Sequence, residues 1–127
     1  MRIPKQVIVM RKDLGMRKGK MVAQGAHASL RVLLQTGALD GDRYTLIVTE
    51  PMAAWLTGRF TKVCVGIDSE LALDEVMARA IAAGVPCALI TDAGQTEFHG
   101  VATKTCCAIG PAWAEDVDAI TGALTLL

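Results

Sequence analysis

The chain has 127 residues, of which 52% are hydrophobic and only 4% aromatic, with 13 basic residues, 13 acidic residues and four cysteines. This apolar content excludes a disordered chain, and no run approaches the ~18 consecutive apolar residues that would suggest a membrane span. Taken alone, the formal net charge of zero argues against a polyanionic partner. We expect a single domain over residues 1–127, and a cytoplasmic one, because the first residues enter a strand-like run without an apolar signal core.

The charges are unevenly distributed along the chain. Residues 1–31 hold eight basic residues and one acid, a net charge of +7, whereas residues 32–127 hold five basic and twelve acidic residues, a net charge of −7. A basic segment of this kind could bind phosphates or could be an ordinary solvated surface. The charge pattern alone does not decide between the two.

The four cysteines each lie in an apolar run, at Cys64, Cys87, Cys106 and Cys107. None belongs to a CxxC pattern or stands at ligand spacing from a histidine, so the sequence predicts neither a metal site nor a disulfide framework. Buried thiols in a reducing cytosol are the favoured interpretation. A redox role for the two adjacent cysteines is the weaker alternative.

The first third of the chain reads as a strand followed by a helix. Residues 6–11 predict a strand with apolar side chains on both faces, and residues 12–19 a polar loop marked by glycine. Residues 18–35 show helical periodicity, with a predicted buried stripe of Val22, Ala26, Leu30 and Leu33. The segment 43–59 is ambiguous: residues 45–49 could form a short strand, while Pro51 favours a short helix that ends at Gly58.

The remaining chain predicts three strands and two helices. Residues 61–67 read as a strand, and Asp68 or Ser69 caps a helix whose predicted core face is Leu73, Val76, Met77, Ala80 and Ile81. Gly84 ends that helix, and residues 87–91 form the next strand.

Residues 103–109 predict the fourth strand, after which Gly110 and Pro111 turn the chain into a last helix. Strands that are apolar on both faces need cover on both sides. The sequence therefore predicts a three-layer α/β/α domain with a mixed sheet of about four strands. No helix separates the last two strands, which favours antiparallel or non-sequential pairing between them.

One face of the first helix carries the strongest functional signal. Lys20, Gln24, His27 and Arg31 are spaced so that they fall within a sector of about 60° at 100° per residue, opposite the predicted apolar stripe. The surrounding glycines and alanines leave room for a ligand to approach. A solvated helix face remains the alternative.

A second candidate site follows the strand at residues 87–91. Asp92 lies at the carboxyl end of this strand, where ligand sites in α/β sheets are found, although an ordinary Asp-Gly turn is the alternative. If Asp92 and Lys20 meet, each favours the charged form of the other, and the hydroxyls of Thr96 and Thr105 could complete a polar cluster. Gly110, before the last predicted helix, could offer backbone N–H groups to an anion, or could simply form a turn.

Residues 9–28, VMRKDLGMRKGKMVAQGAHA, resemble the opening signature of type-2 peptidyl-tRNA hydrolases, which reads Arg-x-Asp-Leu and then Gly-Lys-x-x-Ala-Gln-x-x-His-Ala. Later motifs of the same family resemble DAGQT at residues 92–96, TKT at 103–105, IGP at 109–111 and TGALTL at 121–126. The resemblance spans nearly the whole chain. It is weakest at residues 36–58.

The resemblance implies hydrolysis of the ester that joins a peptide to the 3′ end of tRNA, without a metal or other cofactor. It also implies a fold in which a mixed sheet lies between helices, and a protein that is often dimeric. It implies catalytic roles at Lys20, Asp92, Thr96 and Thr105, and substrate binding at Gln24 and His27. The basic residues, among them Arg17, Lys18 and Arg31, would then hold the phosphates of the tRNA acceptor stem.

Three departures from the family pattern concern mainly the loops. Arg17 stands where the family usually has glycine, Ala108 replaces another glycine, and the loop 97–102 is different and one residue longer. A non-catalytic RNA- or protein-binding module that retains the fold is therefore the alternative to an enzyme. The changed loop, the absence of aromatic stacking platforms and the modest overall charge support this alternative.

Overall fold

The computed structural model describes residues 2–94 and 97–127. Its helices and strands follow the order β1 (Pro4–Arg11), α1 (Lys18–Leu34), β2 (Ala38–Asp40), β3 (Arg43–Thr45), α2 (Glu50–Thr57), β4 (Lys62–Ile67), α3 (Glu70–Ala82), β5 (Cys87–Asp92), β6 (Thr103–Trp113) and α4 (Ala114–Thr121). Within these described ranges no helix has both the length and the apolar character needed to cross a membrane.

Four strands form a mixed sheet in the order β4-β1-β6-β5. β1 runs parallel to β4 and antiparallel to β6, and β6 runs antiparallel to β5. Helices α1 and α2 pack on one face of the sheet, and α3 and α4 pack on the other. The predicted three-layer fold is therefore confirmed, as is the antiparallel pairing of the last two long strands.

Alternation along the central strand β1 explains why residues 7–10 are all apolar. Val7 and Val9 enter the core beneath α3 and α4, whereas Ile8 and Met10 enter the core beneath α1 and α2. Both cores are filled by the same strand because successive side chains of a strand point to opposite faces. The sheet thus separates two hydrophobic clusters.

The ambiguous segment between α1 and β4 forms a hairpin and then a helix. Strands β2 and β3 pair only with each other, and the predicted strand at residues 45–49 is wrong from Leu46 onward, because that apolar run is outside any sheet and leaves Ile47 exposed. The predicted helix is present as α2. The hydroxyl of Thr49 accepts from the backbone N–H of Met52 at its start, and Trp55 anchors it in the core.

Helix α1 is rotated relative to the prediction. Val22, Ala26 and Leu30 are exposed, and the residues that face the sheet are Gln24, Gly25, Ala28, Val32 and Leu33. A Cβ at position 25 would lie 3.6 Å from Cγ2 of Ile8, so the small residues on this face allow α1 to lie close to the sheet. The hydrophobic pattern was misleading because a buried polar residue, Gln24, occupies the inner face.

Helix α3 follows its prediction except at its end. The hydroxyl of Ser69 accepts a hydrogen bond from the N–H of Ala72 and caps the helix, and Leu73, Val76 and Ala80 are buried. Ile81 was expected in the same buried stripe but is exposed. The helix ends one residue later, beyond the edge of the core.

Strand β6 extends beyond its predicted end at Ile109. Gly110 and Pro111 lie within the strand, whose last residues pair with Pro4 and Lys5 of β1, and α4 begins only at Ala114. The prediction that Gly110 precedes a helix and offers its N–H to an anion is therefore wrong. Its N–H donates to the carbonyl of Pro86 at 2.7 Å, and its own carbonyl accepts from Nε2 of Gln6.

The outer edge of β4 is covered by the last residues of the chain. The N–H of Gly66 donates to the carbonyl of Thr125 at 2.9 Å, and the N–H of Leu127 donates to the carbonyl of Cys64 at 3.1 Å. Val65 and Leu126 form an antiparallel bridge between these two bonds. This short stretch satisfies backbone groups that an edge strand would otherwise expose.

Candidate active site

Four polar side chains meet between the first half of α1 and the sheet, and we call them the polar cluster: Lys20, Gln24, Asp92 and Thr105. They come from three elements, since α1 supplies two and the ends of β5 and β6 supply one each. Asp92 lies on the same face of β5 as Ala88 and Ile90, which pack beneath α1. The alternation of β5 thus directs this carboxylate toward the helix.

Asp92 is the acceptor around which the cluster is arranged. Its Oδ1 accepts from Nζ of Lys20 at 3.0 Å and from Nε2 of Gln24 at 3.2 Å, and its Oδ2 accepts from the N–H of Gly94 at 2.8 Å. The hydrogen bond from Lys20 lowers the pKa of Asp92 most strongly and, with the other donors, outweighs the opposing effect of burial. Asp92 is therefore a carboxylate held ionised by several donors.

Gln24 connects Asp92 to a buried hydroxyl. While its Nε2 donates to Asp92, its Oε1 accepts a hydrogen bond from Oγ1 of Thr105 at 2.5 Å. Thr105 is fully buried. The thiol of Cys106 donates to the backbone carbonyl of Gln24 at 3.3 Å, and burial raises the pKa of this thiol to about 11. The amide of Gln24, the hydroxyl of Thr105 and the thiol of Cys106 therefore all have hydrogen-bond partners within the core.

The loop after β5 adds a wall to the cluster. Nζ of Lys20 lies 5.5 Å from the ring centroid of Phe98, and this ring also packs against the core beneath α1. The carbonyl of Gly94 accepts from the N–H of Gly100 at 2.8 Å, and the N–H of Val101 donates to Phe98. Sequence reasoning missed Phe98 because nothing in a loop sequence shows where a single aromatic ring lies.

Three of the remaining predicted site residues, His27, Arg31 and Gly110, lie outside the polar cluster. His27 and Arg31 are exposed on α1, and within the described ranges no hydrogen bond or ion pair joins them to the cluster. Gly110 lies farther along β6, where its backbone N–H is hydrogen-bonded to the carbonyl of Pro86. Thr96, also predicted as a site residue, lies outside the described residues.

The basic N-terminal third does not form one basic surface. Arg2 pairs with Glu115, Lys5 with Asp118, Arg11 with Asp13 and Lys12 with Asp68. Arg17 lies 3.6 Å from Glu97 and has a largely exposed side chain. Lys18 and Arg31 form no ion pair with the residues that the structure describes. Within this N-terminal third, the cations that remain available to a polyanion therefore lie on α1 or at its start.

The exposed surface of α1 also borders an apolar groove of about 760 Å³. We define this groove by its main apolar lining: Ile8, Val22, Leu30, Trp55, Phe60 and Leu127. Two lysines, Lys18 and Lys62, also line it, and Nζ of Lys62 lies 3.2 Å from the ring centroid of Phe60. Burial lowers the pKa of Lys62. The exposed Val22 and Leu30 of the rotated helix therefore belong to one continuous apolar surface.

The described part of the chain contains no group of three or more His, Cys, Asp or Glu side chains that could hold a metal ion. The chemistry available at the polar cluster is that of an ammonium group, an ionised carboxylate, an amide and a hydroxyl. Such a set can orient a water molecule and stabilise a developing oxyanion.

Among solved structures, the chain resembles a protein of unknown function from Agrobacterium tumefaciens. The TM-score is 0.59 at 16% sequence identity, and the match covers 100% of this chain and 99% of that one. At this identity the likeness concerns the fold alone. It agrees with the three-layer arrangement described above.

Sequence comparisons are more specific. The chain is 43% identical to a peptidyl-tRNA hydrolase of Methanocaldococcus jannaschii, over 97% of this chain and 99% of that protein. It is 43% identical to the enzyme of the same name from Halobacterium salinarum, over 96% and 98%, and 38% identical to that from Aeropyrum pernix, over 96% and 94%. The family model described as "Peptidyl-tRNA hydrolase PTH2" matches residues 4–127. The chain therefore belongs to the PTH2 family of peptidyl-tRNA hydrolases.

Proposed function

We propose that this chain is a cytoplasmic enzyme that hydrolyses the ester bond between peptide and tRNA at the polar cluster, with residues 1–127 acting as one domain. The hydrolase activity is that of the family to which the chain belongs. The observation that carries the choice of site is the 3.0 Å contact between Lys20 and Asp92 at the carboxyl end of β5.

In this proposal the nucleophile is a water molecule. Thr105 is fully buried and its hydroxyl donates to the amide oxygen of Gln24, which is too weak a base to activate it. Water adds to the carbonyl carbon, one of its protons passes to the ribose 3′ oxygen as the bond to that oxygen breaks, and its other proton is released to solvent. The products are a free peptide carboxylate and tRNA with a 3′ hydroxyl.

The cluster residues divide the work according to their charge. The ammonium group of Lys20 stabilises the oxyanion that develops on the carbonyl oxygen, since a cation fixed beside that oxygen favours the transition state over the ground state. Asp92 holds Lys20 in place and orients the water, and its lowered pKa makes it a poor proton acceptor. Gln24 holds Asp92, Thr105 in turn holds Gln24, and Thr96 is assigned a catalytic role on the family motif alone.

The test is steady-state hydrolysis of N-blocked aminoacyl-tRNA by the purified protein. We expect release of tRNA by the wild type, and kcat reduced by about 10²–10³-fold in Lys20→Met and Asp92→Asn. Glu75→Gln, an exposed change on α3, is the control and should leave kcat unchanged. A wild type that binds tRNA but never releases the blocked amino acid would instead establish a non-catalytic RNA-binding module.

The acceptor stem and 3′ end of tRNA are the proposed ligands of the exposed side of α1. Arg17, Lys18, His27 and Arg31 are all exposed on this helix or at its start. The polar cluster lies beside the same helix, so a stem bound along α1 would place its 3′ end near Lys20. Phosphate contacts of this kind depend strongly on salt.

We also propose that two copies associate through the apolar groove. Its exposed apolar side chains form a continuous surface rather than isolated residues, which is typical of interaction sites. Lys62 lines the groove, and the acidic tip of the β2-β3 hairpin, with Asp40 and Asp42, offers complementary charge from a second copy.

Sedimentation equilibrium tests this association. We expect a dimer for the wild type and a monomer for Leu30→Glu. Leu71, on α3, is also an exposed leucine but lies outside the groove, so Leu71→Glu should remain dimeric. A monomeric wild type at micromolar concentration would rule out the association, and a dimeric Leu30→Glu would place the interface elsewhere.

A further inference from the structure

Thr105 occupies a β-bulge in β6. In the pairing of β5 with β6, Ile90 lies opposite Cys106, but the next residue, Thr91, lies opposite Lys104. One residue of β6, Thr105, is therefore extra relative to β5. Bulges bend a strand and redirect side chains, and they are over-represented beside active sites.

The bulge changes the face to which Thr105 points. Farther along β6, Cys107 and Ile109 enter the core beneath α3 and α4, and Cys106 and Ala108 enter the core beneath α1. Strict alternation would send Thr105 toward α3 with the odd-numbered residues. Instead it donates to Gln24 of α1 and lies on the same face as its neighbour Cys106.

Lys104 shows the complementary change. Strict alternation would direct its side chain toward α1, yet its Nζ lies 3.1 Å from Oδ1 of Asp74 on α3. The extra residue has therefore exchanged the faces of two adjacent side chains. Only in this arrangement does a hydroxyl, rather than an ammonium group, face Gln24.

Arg11 binds the backbone of β6 at this bulge. Its Nη1 donates to the carbonyl oxygen of Lys104 at 3.0 Å, just beyond Met10 and Cys106, the last residues paired between β1 and β6. The guanidinium thus continues the contact between the two strands where their backbone pairing stops. Its side chain is only 10% exposed.

Asp13 fixes the orientation of that guanidinium. Its two oxygens accept from Nε of Arg11 at 3.0 Å and from Nη2 at 2.6 Å, which leaves Nη1 for Lys104. A planar guanidinium can make these three bonds at once, and an ammonium group cannot reproduce their geometry. Arg11 and Asp13 together therefore form a clamp, in which Asp13 orients the guanidinium and the guanidinium holds the carbonyl oxygen of Lys104.

We propose that Arg11, oriented by Asp13, is a positioning residue for ester hydrolysis: it holds the bulge at Lys104 so that the hydroxyl of Thr105 faces Gln24. Arg11 does not belong to the polar cluster and acts through the backbone of β6. This inference rests on the proposed hydrolase function. It gives a positioning role to the Arg-x-Asp element of the sequence, whose Arg11 and Asp13 do not belong to the polar cluster.

A double-mutant cycle with Thr105→Val tests the proposal. We expect Arg11→Lys to lower kcat by about 10- to 100-fold with little change in KM, since small displacements of a positioned group have effects of this order. In the Thr105→Val background, the same change should cause no further loss, because both changes remove one interaction. Asp68→Asn, which affects the exposed partner of Lys12, is the matched control and should leave kcat unchanged.

Additive losses in the double variant would overturn the proposal, as would an unchanged kcat in Arg11→Lys or in Thr105→Val. Thermal unfolding of each variant separates loss of positioning from loss of folding. Asp13→Asn, which keeps the size of the side chain but weakens the clamp, replaces Arg11→Lys in the cycle if the latter does not fold, and the same non-additivity is expected of it.

A crystal structure of Arg11→Lys provides a readout that does not depend on activity. The distance from Oγ1 of Thr105 to Oε1 of Gln24, 2.5 Å here, should exceed hydrogen-bonding range in the variant. Retention of the bond would overturn the proposal even in an active enzyme. A wild type without hydrolase activity would refute the proposed function, while this distance would still test what Arg11 positions.

Discussion

Gln24 and Thr105, separated by 81 residues in the chain, are joined by a 2.5 Å hydrogen bond between the first helix and the sixth strand. The amide of Gln24 can accept from Thr105 and donate to Asp92 simultaneously, which neither a carboxylate nor a hydrocarbon side chain can do. The pair therefore transmits the position of β6 to the carboxylate at the end of β5.

This bridging role predicts a large effect of Gln24→Leu. The change leaves the buried hydroxyl of Thr105 without an acceptor, which should cost about 1–3 kcal/mol of unfolding free energy. We expect kcat to fall by roughly 10²-fold, since Asp92 loses one of its donors and is less precisely held. Urea unfolding and steady-state hydrolysis measure the two effects.

Gln24→Glu distinguishes the amide from a side chain of equal size. A carboxylate at this position faces Asp92 as a like charge, so we expect the variant to be less active at pH 8 than at pH 5.5, relative to the wild type at each pH. Glu75→Gln again serves as the exposed control. Equal activity of wild type and Gln24→Glu at both pH values would refute the bridging role.

The salt dependence of tRNA binding should identify the cations that contact phosphates. We expect Lys18→Gln and Arg31→Gln each to reduce the slope of log K against log salt by about 0.7–0.9. Lys5→Gln should leave the slope unchanged, because Lys5 already pairs with Asp118 of α4. Equal slopes for all three variants would show that the exposed side of α1 is not the phosphate-binding surface.

The ionisation of Asp92 should contribute to stability at neutral but not at strongly acidic pH. The folded pKa of Asp92 is lowered, chiefly by Lys20, whereas the unfolded value is about 3.9. A lowered folded pKa stabilises the native state above the unfolded value, and this stabilisation is lost as the pH falls through the folded value. The difference in unfolding free energy between wild type and Asp92→Asn should therefore be larger at pH 7 than at pH 3, measured by urea titration. A difference independent of pH would contradict the pairing with Lys20.

The four cysteines should differ sharply in reactivity. Cys64 is exposed, whereas burial raises the pKa of Cys106 to about 11 and also raises that of Cys107. Because the thiolate is the reactive form, iodoacetamide at pH 8 should label Cys64 in the native protein and leave both buried residues unlabelled, as read by peptide mass spectrometry. Faster labelling of Cys106 would favour the redox role considered for the adjacent pair, whose side chains lie in the two separate cores.

The sequence allowed the fold and part of the cluster to be predicted because both depend on local patterns. The strands were recognisable from apolar runs, and a carboxylate at the end of a strand is where α/β sheets place ligands. The meeting of Lys20 with Asp92 could be suggested on this basis, and the structure brings them to 3.0 Å. The roles of these residues remain a proposal.

The rotation of α1 and the bulge in β6 could not be predicted from one sequence. Hydrophobicity assigns Val22 and Leu30 to the core, but the space above β4 is left open and Gln24 is buried because two distant residues satisfy it. A bulge leaves no mark on the sequence of its own strand, since it exists only relative to the register of β5. The basic segment likewise appeared uniform until the acids that neutralise it, such as Asp118, were located in space.

The hydrogen bonds that the last residues make with Cys64 and Gly66 restrict how copies of this protein can assemble. A second chain cannot lengthen the sheet past β4 without first displacing residues 125–127, so fibre-like stacking of strands is disfavoured along that side. Any pairing through the neighbouring groove must rely on interlocking side chains. Single substitutions can change the strength of such side-chain contacts step by step. A backbone hydrogen-bond ladder shared between two copies would instead form or break as a whole.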